Sequence, residues 1–275
     1  MKQNEIEAIE VDLLLEAIFQ RYGYDFRSYA RASIDRRIHQ FIAARGIARI
    51  SDLIPRCIHD EGLFSELAQQ FSISVTEMFR DPFVYRALRE QVVPIIASFP
   101  FIKVWHAGCA TGEEAYSLAI VLAEAGLSDR ATIFGTDFND AALERARQGI
   151  YPADRVQEFT RSYQEAGGTA SFSEYYHAGY GSAAMDSRLK DKITFANHNL
   201  AVDAVFGEMH LIVCRNVLIY FDRELQDRVL RLFGESLVRG GFLCLGTKED
   251  IRFSDVAEDF EVVDRSARIY KKRAS

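Results

Sequence analysis

The chain has 275 residues, 48% of them hydrophobic and 27% charged, with 40 acidic side chains against 33 basic ones and a formal net charge of −7. That length holds one large α/β domain with a smaller companion and a sizeable core. The acidic balance argues against bulk nucleic-acid binding. The cysteines (57, 109, 214, 244) and the histidines lie too far apart for a disulfide framework or a metal centre, and none is expected. Glu5, Glu7, Glu10 and Asp12 break any signal-peptide pattern at the start. The most apolar region, 92–110, is interrupted by Pro94, Pro100, Lys103 and His106 and is no transmembrane helix. A soluble cytoplasmic protein is expected.

In chain order, residues 5–70 read as helices, with Val11, Leu14, Leu15, Ile18 and Phe19, then Ile34, Ile38 and Ile42, at helical spacing. Ser33 is placed to cap an arginine-bearing helix that Gly46 stops, and Ser51 to cap the next. Asp81-Pro82 signals another helix start, with Pro94 as its kink or end. From Phe101 the pattern alternates: strand 101–107, helix from Glu113 to Gly126, strand 131–137, and a helix capped by Asn139 and closed by Gly149. Residues 151–195 break the alternation and read as an insertion, part helix and part small antiparallel sheet. Strand 209–214 follows, then a helix capped by Asp222 and stopped by Gly240-Gly241. Strand 242–245 and a hairpin of 260–263 with 267–271 complete the chain.

The turn after the first strand is Gly108-Cys-Ala-Thr-Gly112, and the next helix opens with Glu113-Glu114. In an open α/β sheet the loop after the first strand cradles an adenosine-containing cofactor. Asp137, ending the second strand, is placed to accept hydrogen bonds from ribose hydroxyls. A dinucleotide fold needs Gly-x-Gly-x-x-Gly, whereas two carboxylates at a helix N-terminus repel a pyrophosphate. They suit S-adenosylmethionine, which carries a sulfonium and an ammonium and no phosphate.

These residues resemble the bacterial chemotaxis-receptor glutamate O-methyltransferases, the CheR family. The likeness runs through Arg31-x-x-x-x-Arg36-Arg37-Ile38, Ser74-Val-Thr-Glu-Met-Phe-Arg80, Ala110-Thr-Gly-Glu-Glu-Ala-Tyr-Ser117, Gly135-Thr-Asp137, Asn199-Leu200 and Cys214-Arg-Asn-Val-Leu-Ile-Tyr-Phe221. Each motif is weak alone; in this order they are specific. The resemblance implies a small all-helical N-terminal substrate-recognition domain (1–80). A Rossmann-like class I methyltransferase domain (81–275) would follow, with a small antiparallel β insertion. It implies that Ser74, Thr76, Arg80, Glu114, Asp137, Asn199, Leu200, Arg215 and Asn216 line the S-adenosylmethionine pocket, S-adenosylhomocysteine being the product. Arg80 and Tyr220 are the candidates for aiming the acceptor. Ser74 stands where many relatives have Asn.

The implied reaction methylates glutamate side chains of chemoreceptors. A carboxylate is ionised at neutral pH, so no strong general base is required, in keeping with the lack of a Ser-His-Asp or Cys-His constellation. Arg31, Arg36 and Arg37 are candidates for steering acidic receptor helices. His106 and His198 read as hydrogen-bonded structural residues. The turn around 179–185 lacks the dense glycine pattern with which some relatives dock a receptor tail peptide, so such tethering is not expected. Two alternatives remain open: a different acceptor, or a signalling scaffold that binds the cofactor without turnover.

Overall fold

The computed structural model describes residues 3–71, 76–252 and 254–274, which divide into two units. The first takes in residues 1–73, 201–203 and 219–229; the second takes in the remainder. Among the described residues no helix is long and apolar enough to cross a membrane.

The first unit is built on helices α1 (Gln3–Tyr22), α2 (Arg31–Ala44), α3 (Leu53–His59) and α4 (Glu61–Phe71). Their apolar stripes (Val11, Leu14, Leu15 and Ile18; Ile34, Ile38 and Phe41; Phe64, Leu67 and Phe71) are buried. Two expected caps do not form. α2 starts at Arg31 because residues 28–30 pair with 220–222: Tyr29 bridges Phe221, and the Ala30 amide donates to the Tyr220 carbonyl (2.7 Å). Ser33 therefore lies inside the helix. The Ser51 hydroxyl donates to the Glu10 carboxylate (2.5 Å) instead of capping α3.

The second unit holds α5 (Pro82–Ala87), a π-helical turn at Leu88–Val92, α6 (Val93–Ile96), α7 (Glu113–Glu124), α8 (Asp140–Gln148), α9 (Val156–Glu165) and α10 (Ser187–Lys190). α11 (Arg223–Ser236) contributes its last residues. The strands are β1 (Ile102–Ala107), β2 (Ala131–Asp137), β3 (Ile150–Pro152), β4 (Tyr176–Gly179), β5 (Ser182–Met185), β6 (Ile193–Asn197), β7 (Met209–Cys214), β8 (Leu237–Leu245), β9 (Phe260–Asp264) and β10 (Ile269–Lys272). Seven of them form one sheet in the order β6-β2-β1-β7-β8-β10-β9, parallel from β6 to β8 and antiparallel at β10 and β9. The insertion carries the antiparallel sheet β3-β5-β4, with β4 and β5 joined through left-handed Tyr180 and Gly181.

Central strands of a parallel sheet are buried on both faces, and residues 104–107 of β1 and 211–214 of β7 are buried without a break. Trp105 is fully buried and its indole N–H donates to the Thr136 hydroxyl (2.8 Å). One expected helix stop is corrected. α11 ends at Ser236, and Gly240-Gly241 lie within β8, where the pairing with β7 slips between Met209 and Leu211. The glycines serve an irregular strand, not a helix end. Strand order reverses between β1 and β7, so their carboxyl ends form the switch point at which open α/β sheets bind ligands.

Candidate cofactor site

The turn after β1 is fixed by its own backbone. The amides of Gly108 and Cys109 both donate to the Thr136 carbonyl (2.8 and 2.9 Å), and Ala110 adopts φ +48°. Gly108 and Gly112 are required by packing: a Cβ on Gly108 would lie 2.4 Å from the Val217 side chain, and one on Gly112 2.8 Å from the Ala146 Cβ. The glycines thus seat the turn against its neighbours and do not form a phosphate cradle.

Asp137, 7% exposed, faces this turn. Its Oδ2 accepts from the Ala110 amide and its Oδ1 from the Asn139 amide, both at 2.9 Å. Burial raises its carboxyl above the ordinary value, against the pull of the Asn139 and Ala110 amides. The Phe138 amide pulls the same way; a carboxylate has about four acceptor positions, so capacity for a ribose hydroxyl remains.

Glu114 is 3% exposed and partnered on both oxygens. The Arg215 guanidinium donates to Oε1, and the His106 Nε2 lies 3.2 Å from Oε2. Burial opposes its charge, but Arg215, and then His106, outweigh burial and hold the carboxyl below its ordinary value; Arg80 adds to the effect. Arg215 also donates to the Arg80 carbonyl (2.9 Å) and the Asp81 carboxylate (2.6 Å). Asp81 was expected to cap α5. It occupies that position at φ +54° but makes no side-chain cap, its carboxylate being turned to Arg215. The buried Arg215 side chain therefore braces the 79–81 segment, in which Phe79 and Asp81 are both left-handed. It bonds the Arg80 carbonyl and Glu114, and its Nε is buried without a partner among the described residues.

Glu113 is also buried, and burial pushes its carboxyl up to about 7 although the Thr111 hydroxyl donates to it (2.7 Å). Of the other expected contacts, Thr76 is half-buried in the second unit, and Ser74 lies outside the described residues. The His198 amide donates to the Asp137 carbonyl (3.1 Å), which brings half-buried Asn199 and buried Leu200 to the end of β2. Asn216 follows β7 at φ +60°, its Oδ1 buried without a partner among the described residues. Sequence reasoning missed Glu249, whose carboxylate accepts from the amides of Asn216, Val217 and Gly246. The only signal was an acid three residues after the glycine that ends an apolar strand.

Of the residues expected to meet the acceptor, Arg80 belongs to the second unit and Arg31, Arg36, Arg37 and Tyr220 to the first. Arg31 is paired with Asp12 and with Asp35 (2.7 Å). Arg36 is exposed. Arg37, expected on a surface face, is only 4% exposed. Its Nη1 donates to the carbonyls of Gln70 (2.9 Å) and Phe71, its Nη2 has no partner among the described residues, and its guanidinium sits 5.3 Å from the Tyr220 ring centroid.

The second-unit residues fit S-adenosylmethionine. Asp137 has spare acceptor capacity, Asn216 offers an orphaned acceptor, and Glu114 and Asp81 are carboxylates suited to a cationic ligand. Comparison with known proteins agrees. The SAM-binding domain of the CheR methyltransferases matches residues 74–269, and their all-alpha domain matches residues 9–72. A Pseudomonas putida protein, provisionally named methyltransferase Cher3, is 51% identical over 96% of this chain and 97% of its own length. An uncharacterized 104.1 kDa protein of Rhodobacter capsulatus is 32% identical over 90% of this chain but only 26% of its own. The chemotaxis protein methyltransferase of Listeria monocytogenes is 31% identical over 83% of this chain and 85% of its own. The solved magnesium protoporphyrin IX methyltransferase of Synechocystis, 19% identical, aligns at a TM-score of 0.32 over 62% of this chain and 60% of that one, too slight a likeness to add weight. The chain belongs to the CheR methyltransferase family and is an S-adenosylmethionine-dependent methyltransferase.

Proposed function

We propose that this methyltransferase esterifies glutamate side chains of chemoreceptors, using its helical unit to receive the acceptor. The observation that carries the proposal is Arg37. It is a buried guanidinium with no carboxylate partner among the described residues, its Nη2 unused, beside the Tyr220 ring. A buried cation left uncompensated by its own chain is costly, and an anionic acceptor would compensate it. The names of relatives such as the Listeria chemotaxis protein methyltransferase support the same class of substrate.

When bound, S-adenosylmethionine would supply a methyl group on a sulfonium: an O–CH3 bond to the acceptor forms as the S–CH3 bond breaks, and neutral S-adenosylhomocysteine leaves. The chain's own residues position and desolvate. Asp137, Asn199, Leu200 and Asn216 hold the nucleoside end. Glu114 balances cationic charge while Arg215 and His106 restrain its carboxylate. Arg80, its backbone fixed by Arg215, lies near Glu114 for contact with the methionyl end or the acceptor. Within the helical unit, Arg37 beside Tyr220 offers an anion a buried cation, and exposed Arg36 attracts an acidic helix. Positioning of this kind contributes several kcal/mol and up to ~7–11 in the best cases.

The test is transfer of labelled methyl from S-adenosylmethionine to receptor-bearing membranes. Label released as methanol by mild alkali, and lost with Arg37→Met, is the expected result. Alkali-stable label would show that the product is not a carboxyl ester and would remove this reading.

A further inference from the structure

We infer that Glu249 is a positioning residue for the cofactor site: its carboxylate locks the Asn216–Val217 turn in the backbone conformation that aims the Asn216 carboxamide. The inference rests on the proposed reading of Asn216 as a cofactor contact. After Cys214 the chain leaves β7 abruptly, and Asn216 takes φ +60°, a conformation that Asn tolerates better than most side chains but still at a cost. In such a turn successive amides point the same way and form a concavity for an anion.

That anion is internal. Glu249 Oε1 accepts from the Val217 amide (2.8 Å), while Oε2 accepts from the amides of Asn216 (3.1 Å) and Gly246 (2.6 Å). The residue is 4% exposed, so its ionised form depends on these charge-assisted bonds. Gly246 permits the close approach: a Cβ there would lie 2.7 Å from the Asn216 amide nitrogen and 2.7 Å from Glu249 Oε2. With its backbone held, Asn216 keeps Oδ1 buried and without a partner among the described residues, an acceptor directed to something other than the chain. Glu249 touches no reacting atom in this account; it acts through Asn216.

The experiment is calorimetric titration of the full chain with S-adenosylhomocysteine. Glu249→Gln keeps the shape but turns one acceptor into a donor facing backbone N–H groups, and is expected to weaken binding by about tenfold or more. In an Asn216→Ala background the same change should alter Kd by less than about twofold, because the group through which Glu249 acts is gone. Gly246→Ala disturbs the same cradle from its other side, should reproduce the loss, and serves if Glu249→Gln does not fold. Undiminished binding in both cradle variants, or an equal loss with and without Asn216, overturns the inference. If Asn216→Ala alone binds as tightly as wild type, the assignment of Asn216 has failed. If Asn216→Ala weakens binding and the cradle variants do not, only the role of Glu249 has failed.

Discussion

Two turns at the carboxyl ends of neighbouring strands are held by buried acids, yet the acids do different work. After β1, left-handed Ala110 is tied to Asp137, whose oxygens accept from the amides of Ala110 and Asn139, with the Phe138 amide pulling the same way. After β7, left-handed Asn216 is tied to Glu249, whose two oxygens accept three amides. In the proposed reading Asp137 meets the ligand directly, whereas Glu249 holds backbone and leaves the ligand contact to Asn216. The Arg215–Glu114 pair links the segments that follow these turns.

The largest effect is expected where that link breaks. Arg215→Met leaves Glu114 buried without its main cation and frees Asp81 and the Arg80 carbonyl. Urea unfolding should show a loss of about 3–5 kcal/mol; a loss under about 1 kcal/mol would mean the pair does not support the fold.

Glu113 gives the next effect, and its sign follows from linkage. Its folded pKa is raised from 4.5 to about 7, so between those values the unfolded carboxyl is ionised while the folded one keeps its proton. Stability contributed by this group therefore falls as pH rises through that window, and the loss is complete above it. Glu113→Gln should flatten the slope, gaining up to about 3 kcal/mol on wild type between pH 4.5 and 8. Parallel unfolding curves would contradict this.

Asp137→Asn sharpens the contrast between the two acids. It retains one good acceptor, so stability should drop by only about 1 kcal/mol, while S-adenosylhomocysteine affinity falls about tenfold or more. Equal losses of affinity and stability would make Asp137 a brace like Glu249. The smallest change is expected from a control outside both turns. Arg36→Glu should slow receptor methylation in a salt-dependent way and leave S-adenosylhomocysteine affinity and stability within about 0.5 kcal/mol of wild type.

Most of the sheet was legible because buried parallel strands are rich in apolar residues, and because Asn139, Gly149 and Gly126 punctuate the helices where expected. Strand β6 was not, since the sequence pattern runs residues 193–195 into the insertion, whereas β6 pairs with β2 in the large sheet. Local caps were misread where a distant partner competed for the side chain: Glu10 for Ser51, and Arg215 for Asp81. Gly240-Gly241 were misplaced because a strand irregularity and a helix stop look alike in one dimension. Asp137 was visible because it ends a strand. Glu249 was not, because its importance comes from amides more than 30 residues away, 32 and 33 positions before it. The burial of Arg37 beneath a pattern of surface arginines was hidden for the same reason.

The most direct test of the central claim, an acid-lined switch point shaped for a phosphate-free sulfonium nucleoside, is a paired calorimetric titration of the wild-type chain. S-Adenosylhomocysteine should bind at one site and NADH should give no heat. NADH uptake without S-adenosylhomocysteine binding would contradict the account.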